Sequence, residues 1–539
     1  MTENIGMAGS IASEGLAAGA QRTRFWRAAF WTVWAALLVV KLVLAATLAP
    51  FGDEAWYWQE SRALDWSYSD LPPATAWLIR CGETLFGHGV LAMRSVFLML
   101  GAAVPIVLLR TAARLFGART GWQAGLLALA LPLLGTLGLF ALPDTPLTLA
   151  SIVALDALER CVRTQRRRDW LVLGIVLAFA WLCHYRAAML LLTGLVFFVT
   201  TARGRAAWRG PGLWIALAIS SIGLVPLLIY NIEHAWVALG FQFVERNPWT
   251  FHADGLVQPA EQALVCTPLF YVALLWAAWK CWRRTRDGVP WDLLAVCALV
   301  PILGYFVLGC FADDTRLRLH WPLPGYLPLL IALPILWREW MEGARRGTRR
   351  ALLAATIATL ALGTGAVFAY FVAAATPGGA IGLARVKAFP EHWVGWNEVS
   401  AQTREILAQP RFAAATLVAD NFMLAAELDF AFDGTRAVFT LDHPLNAKHG
   451  RAPQLAEWRR DEAALRALGG APLLLVAEPT TRRERERAAW LASLCQRVDN
   501  LVDVGKLELY AGRKRYLFFA ANARSAGADA ARAGDCPGN

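Results

Sequence analysis

Long apolar runs recur through the first 375 residues, and every second gap between them is basic. A bilayer core takes roughly 20 apolar residues to cross as a helix, because no water is there to satisfy an open backbone. Runs near that length lie near 28–50, 90–109, 121–140, 146–160, 170–183, 187–202, 213–230, 259–282, 291–311, 321–337 and 351–375, about eleven in all. Arg22, Arg24 and Arg27 precede the first run, and Arg110, Arg114 and Arg119 follow the second. The pattern continues at Arg160–Arg168, Arg203–Arg209, Lys280–Arg286 and Arg338–Arg350. Basic loops stay in the cytoplasm. The alternation therefore predicts a polytopic α-helical membrane protein with its N-terminus inside and the tail beyond 376 outside.

Composition excludes the main rivals. Apolar residues make up 57% of the chain and charged ones 17%, against about 25% charged in an ordinary soluble domain. A wholly soluble core and a disordered chain are both ruled out. The net charge of +11 invites a nucleic-acid reading, but the basic residues sit in short clusters and form no continuous face. No nucleic-acid partner is expected; the lipid bilayer is. The 25 tryptophans suit helices that end at a lipid–water boundary.

Residues 1–24, rich in Gly, Ala and Ser at their start, are expected to form a disordered cytoplasmic N-terminus. The first apolar run is longer than a signal-peptide core and reads as an anchor. A transmembrane catalytic domain is expected over 25–376, with its first outside loop at 51–89. Beyond 377 the period changes. Short apolar runs at 415–418, 437–441, 473–477, 507–510 and 516–520 alternate with amphipathic stretches, which predicts a small α/β domain over 377–539. Its position suggests that it shapes an acceptor site or covers a cavity. Cys495 and Cys536 either pair or stay free. The composition and the outer domain suit a bacterial inner membrane, with that domain in the periplasm.

The long outside loops carry the chemistry. The first reads Phe51-Gly52-Asp53-Glu54-Ala55-Trp56-Tyr57-Trp58, then Asp65-Trp66-Ser67-Tyr68-Ser69-Asp70-Leu71-Pro72-Pro73. Two adjacent acids emerge among aromatics. A low-dielectric surround sharpens a carboxylate's proton affinity; alternatively, the pair only caps a short interfacial helix. Asp144 lies between Pro143 and Pro146, where it can act in chemistry, cap the next helix, or both. His184, Tyr185 and Arg186 lie at the same outer level, as do Asn231, Glu233 and His234. Gln242, Glu245, Arg246 and His252 follow, and then Arg316, Arg318 and His320. Ionisable groups at this depth are functional candidates, and arginine is the expected partner of phosphate oxygens. Lys41, within the first run, either snorkels or contacts an anion.

The first-loop pattern resembles that of bacterial glycosyltransferase family 39, relatives of protein O-mannosyltransferases and lipid A aminoarabinose transferases. Pro143-Asp144-Thr145-Pro146 is similar to the family's second acidic motif, His184-Tyr185 to its Lys-Tyr, and Asn231-Ile232-Glu233-His234 to its Asn-x-x-His. His320-Trp321-Pro322-Leu323-Pro324-Gly325-Tyr326 is similar to its Asn-Trp-Pro-x-Pro-x-Tyr. The resemblance covers about residues 25–340 and implies a GT-C fold with the site on the outer face. It implies a polyprenyl-phosphate sugar donor and a hydroxyl acceptor in the cell envelope: lipid A, a polysaccharide, a protein or another lipid. Asp53 would be the catalytic base and Asp144 the second catalytic acid residue. Glu54, His184, Tyr185, Arg186, Asn231, His234, Arg316, Arg318 and His320 would contact substrate. Two departures stand out: Leu71 and His184 occupy positions where relatives often carry a basic residue. No metal is required, although Asp53 and Glu54 could bridge Mg²⁺ or Mn²⁺ to the phosphate.

The rival from another class is a transporter or flippase of a lipid-linked or anionic substrate. Transporters place ionisable groups at the bilayer midplane, whereas these concentrate in outside loops. A sensory protein would leave the acidic-aromatic loop unexplained.

Overall fold

The computed structural model describes residues 2–247, 249–312, 319–343, 345–386 and 388–524. The membrane part begins with α1 (Thr2–Thr47). The helix runs through the stretch expected to be a disordered terminus, which holds no proline to stop it. Pro50 follows its end, and α2 (Gly52–Arg62) starts at once. Glu54, at the third position of α2, reaches back to accept the Phe51 N–H at 2.9 Å. Pro72 and Pro73 close the loop, and α3 (Ala74–Phe86) begins beyond them, where a missing N–H costs nothing. Next comes α4 (Val90–Phe116).

Among the described residues, five helices are long and apolar enough to cross a bilayer: Gly19–Thr47, Val90–Phe116, Pro211–Glu233, Trp291–Gly309 and Gly347–Ala374. Ala253–Cys266 and Pro268–Arg283 make a sixth if the 114° bend between them is counted within one crossing. The expected eleven thus stand against five or six. The other runs form helices that are shorter, interrupted or, as in Asp144–Thr164 and Leu323–Glu342, not apolar enough. The run near 121–140 is an interrupted one. It splits into α5 (Ala118–Ala130) and α6 (Pro132–Gly135), because Pro132 cannot donate into the helix.

Backbone groups freed by that break find side chains. The Lys41 ammonium donates to the Leu137 carbonyl at 3.0 Å, and the Thr364 hydroxyl donates to the Ala130 carbonyl at 2.6 Å. Lys41 thus satisfies a broken helix, an arrangement that buried irregular backbone in a membrane protein requires. Gly101 lets α4 approach this segment; a Cβ there would collide with the Leu137 carbonyl. After the segment come α7 (Asp144–Thr164), α8 (Arg167–Cys183) and α9 (Ala187–Thr200).

The C-terminal domain is built on five strands: β1 (Thr416–Ala419), β2 (Val438–Thr440), β3 (Pro472–Ala477), β4 (Val498–Leu509) and β5 (Lys514–Ala523). Their order is β2-β1-β3-β5-β4. The β1 strand pairs parallel with β2 and β3, and β5 pairs antiparallel with β3 and β4. The expected strands correspond to these five. Only β4 differs much: it starts at Val498, because its edge position tolerates polar Asp499, Asn500 and Asp503. Cys495 is in a disulfide; Cys536 lies outside the described residues.

This domain docks on the first loop. Helix Phe422–Ala431, which follows β1, packs along α2. Trp56 meets Phe422 edge-on at 5.5 Å, and the Gln59 amide donates to Asp429 Oδ2 at 2.8 Å. Most of α2 is buried in this way, including Trp56, Trp58 and Glu60.

Candidate active site

Two polar pockets lie at the N-terminal ends of α2 and α7. The first is centred on Asp53, at the start of α2, with its side chain 25% exposed. Arg451, carried by the C-terminal domain, places Nη2 at 3.2 Å from Asp53 Oδ1. Arg451 Nη1 lies 2.6 Å from Asp70 Oδ2 and 3.7 Å from Glu60 Oε1. Burial, then the Asp70 carboxylate, pushes the Glu60 carboxyl well above its ordinary range. Burial pushes Asp70 up as well, against the pull of Arg451. This pocket is acid-rich.

The second pocket surrounds Asp144, the first residue of α7. Arg186 Nη2 lies 2.5 Å from Asp144 Oδ1, and His320 Nε2 lies 3.3 Å from the same oxygen. Burial would raise the Asp144 carboxyl, but Arg186 and His320 outweigh it and hold it well below the carboxylate range. His184 is pushed well below its usual value by burial and then by Arg186. It is therefore neutral, and its Nδ1 accepts the Arg186 backbone N–H at 3.1 Å. The position where relatives often carry lysine thus holds no charge, and Arg186 is the cation. Burial pushes the Tyr185 hydroxyl up to about 12; it lies beside Ser67 and Asn231.

A chain of contacts joins the pockets. Arg186 and Arg246 both lie over the Trp321 ring, at 5.8 and 6.0 Å. Arg246 Nη1 donates to Gln242 Oε1 at 3.4 Å, and the Gln242 amide donates to the Asp70 carbonyl at 2.6 Å. Asp70 leads to Arg451 and Asp53. Below the second pocket, α7, α8, α9 and three further helix faces enclose an apolar cavity of about 390 Å³. Leu155, Leu158, Leu191, Phe198, Leu217 and Leu327 are among its lining residues.

Several of the expected contact residues have protein partners of their own. Glu54 is fully buried and faces away from the site. Arg94 Nε and Nη2 donate to its two oxygens at 2.8 and 2.6 Å, and the Ala141 N–H donates at 2.6 Å. With those lone pairs used, Glu54 is a structural acid that ties α2 to α4. Asn231 is closed on its own segment: its amide donates to the Leu227 carbonyl at 2.7 Å, and its oxygen accepts the Leu239 N–H at 2.9 Å. His234 stacks on Tyr230 at 4.1 Å and lies 3.6 Å from Glu457 of the C-terminal domain. Arg316 and Arg318 lie outside the described residues.

The Mg²⁺ or Mn²⁺ bridge does not fit this donor set, because guanidinium groups already face both Asp53 and Glu54. Among the described residues, no cluster of three or more His, Cys, Asp or Glu side chains is arranged for a metal ion. Sequence reasoning missed Arg94 and Arg451. A single arginine in the apolar run 90–109 was a signal for the first. Nothing local marks the second.

The family profile described as dolichyl-phosphate-mannose-protein mannosyltransferase matches residues 70–230. A lipid A galacturonosyltransferase, RgtD of Rhizobium johnstonii, is 26% identical over 311 residues, which are 55% of this chain and 62% of that protein. The match thus spans less than two thirds of that relative. The crystal structure of ArnT from Cupriavidus metallidurans bound to undecaprenyl phosphate superposes with a TM-score of 0.62 at 19% identity, covering 92% of this chain and 98% of ArnT. Its apo form gives the same TM-score at 17% identity. Family profile, relative and fold all support the resemblance to GT-C glycosyltransferases read from the motifs.

Proposed function

We propose that this protein transfers a sugar from a polyprenyl-phosphate carrier to a hydroxyl of a cell-envelope acceptor, at the periplasmic face of a bacterial inner membrane. The observation that carries this reading is the placement of the cationic pocket. Asp144 and Arg186 stand at the outer ends of α7 and α9, and His320 stands just before helix Leu323–Glu342. The same three helices line the apolar cavity. Its α7 lining, Ser151–Leu158, runs about 10 to 21 Å along the helix from Asp144. A phosphate held at Arg186 and His320 would let its isoprenoid chain descend into that cavity. ArnT with bound undecaprenyl phosphate and RgtD, named for lipid A, support a polyprenyl-phosphate donor and make lipid A the first acceptor to test.

The chemistry follows. The acceptor oxygen attacks the anomeric carbon as its proton passes to a carboxylate oxygen of Asp53. The bond from that carbon to the phosphate oxygen breaks, and its electron pair stays on the phosphate. The products are the glycosylated acceptor and polyprenyl phosphate, with the proton on Asp53. The phosphate gains a negative charge in this step, so Arg186 and His320 act most strongly as the bond breaks. Single displacement inverts the anomeric carbon. The N-terminus is cytoplasmic and the domain 377–539 periplasmic in this reading.

Mass spectrometry of envelope lipids and glycans from a deletion strain tests it. One sugar-sized increment should vanish, return with wild type, and stay absent with Asp53→Asn. Full restoration by Asp53→Asn would overturn the assignment of the base. No change in any glycan on deletion would sink the transferase reading.

A further inference from the structure

The Asp53 pocket holds three carboxylates, and the guanidinium that faces all three comes from far along the chain. Asp53 and Glu60 belong to α2, Asp70 to the following loop, and Arg451 to the C-terminal domain. Tyr57 is the other titratable group against Arg451. His449 lies behind it, against Phe422, and Glu457 accepts from the Tyr230 hydroxyl at 3.1 Å.

The geometry around Arg451 is rigid. Its guanidinium carbon lies 4.9 Å from the Trp56 ring, 5.1 Å from Tyr57 and 5.3 Å from Phe422. Its backbone N–H donates to the Asn446 carbonyl at 2.7 Å. Asn446 in turn accepts the Phe422 N–H at 3.0 Å and donates to the Leu441 carbonyl at 2.9 Å, which ties it to the end of β2. The first loop grips both flanks: the Ser69 hydroxyl donates to the Gly450 carbonyl at 2.5 Å, and the Ser69 N–H donates to the Gln454 side chain at 3.0 Å. So much fixing for one exposed surface contact would be without purpose; here the side chain is 3% exposed and aimed at Asp53.

We infer that Arg451 is a positioning residue for Asp53, so that the C-terminal domain completes the active site by supplying the charge that orients its base. The inference rests on the proposed transfer. Asp53 keeps contact with solvent, whereas Glu60 and Asp70 are sealed in behind it at 1% and 4% exposure. Arg451 sits nearest Asp70 and Asp53, at 2.6 and 3.2 Å, with Glu60 farther off at 3.7 Å. Removing the guanidinium frees the Asp53 carboxylate to rotate and makes proton uptake by the pocket easier.

The test uses the full-length protein in native membranes of the complemented deletion strain, which hold their own donor and acceptor. Initial rates of the sugar-sized increment are measured against pH for wild type, Asp53→Asn, Arg451→Gln and Arg451→Lys. Arg451→Gln should lower the rate about 100-fold and move the acid limb up by about one pH unit, and Arg451→Lys should recover about tenfold of that loss. Adding Asp70→Asn to Arg451→Gln should return the acid limb toward wild type. Binding of undecaprenyl phosphate to the purified variants should stay within about threefold of wild type. If Arg451→Gln fails to fold, Arg451→Lys carries the test, with a slower rate and a shifted limb expected. Wild-type rate and acid limb in the folded Arg451 variants overturn the inference while an inactive Asp53→Asn leaves the transferase reading standing. Turnover by Asp53→Asn removes the base assignment itself, and the inference with it.

Discussion

Asp53 and Asp144 each face an arginine, yet their pockets carry opposite charge balance. Asp53 shares one guanidinium with two other acids. Asp144 stands opposite Arg186 and His320, with His184 behind. An acid-rich pocket open to solvent on one side suits proton uptake. A cation-rich pocket above an apolar cavity suits an anionic headgroup with a long tail. The difference teaches that a carboxylate's role follows from what surrounds it, because neighbours decide how readily it takes a proton.

The sharpest test of the contrast is Asp53→Asn. It should cut turnover about 1,000-fold, as loss of a general base does, while leaving undecaprenyl phosphate binding in place. Next comes Arg186→Ala, with an expected loss of about 100-fold in donor kcat/KM and weakened undecaprenyl phosphate binding. Steady-state kinetics and lipid binding read the two variants side by side. If both variants lose lipid binding equally, the division of labour between the pockets is wrong.

Glu54 sharpens the comparison from the other side, since it is Asp53's neighbour in sequence. Arg94→Met leaves the Glu54 charge buried without its partner and should cost about 3–5 kcal/mol of stability. A thermal melt in detergent reads that cost, and the surviving folded protein should still turn over. Normal melting with lost catalysis would move Glu54 back into the site.

The smallest effect lies in the C-terminal domain. Burial, then Glu478, pushes Asp420 from 3.8 up to about 7. A carboxyl raised on folding favours the protonated native state, so its contribution is full below about pH 4 and fades as pH rises to about 7. His443, pushed down to about 3 by burial and Arg482, works in the opposite sense. The measurement is therefore the melting temperature of wild type minus that of Asp420→Asn at each pH. That difference should fall across the window; a flat difference would show that Asp420 does not titrate there.

The sequence revealed most where a signal is local. Basic loops, apolar runs and the Asp53–Pro73 motif each sit within a few dozen residues, and the five C-terminal strands follow from short apolar runs. It misled where neighbours in sequence diverge in space. Asp53 and Glu54 look like a pair, but successive residues on a helix point about 100° apart, and Glu54 turns inward to Arg94. Asn231 stood out through its resemblance to an Asn-x-x-His motif, yet its amide donates to the Leu227 carbonyl and its oxygen accepts the Leu239 N–H.

Hydropathy and the placement of charge determined a membrane bundle with a C-terminal domain and a reactive-looking first loop. These follow from the chain alone, because a bilayer acts on each segment as it is read. Tertiary structure alone decided that Arg451 meets Asp53 across 398 residues of chain, and that Arg94 claims Glu54. Ion pairs of this kind are set by which surfaces dock, and docking depends on the packing of α2 against helix Phe422–Ala431, a property that no local stretch of sequence carries.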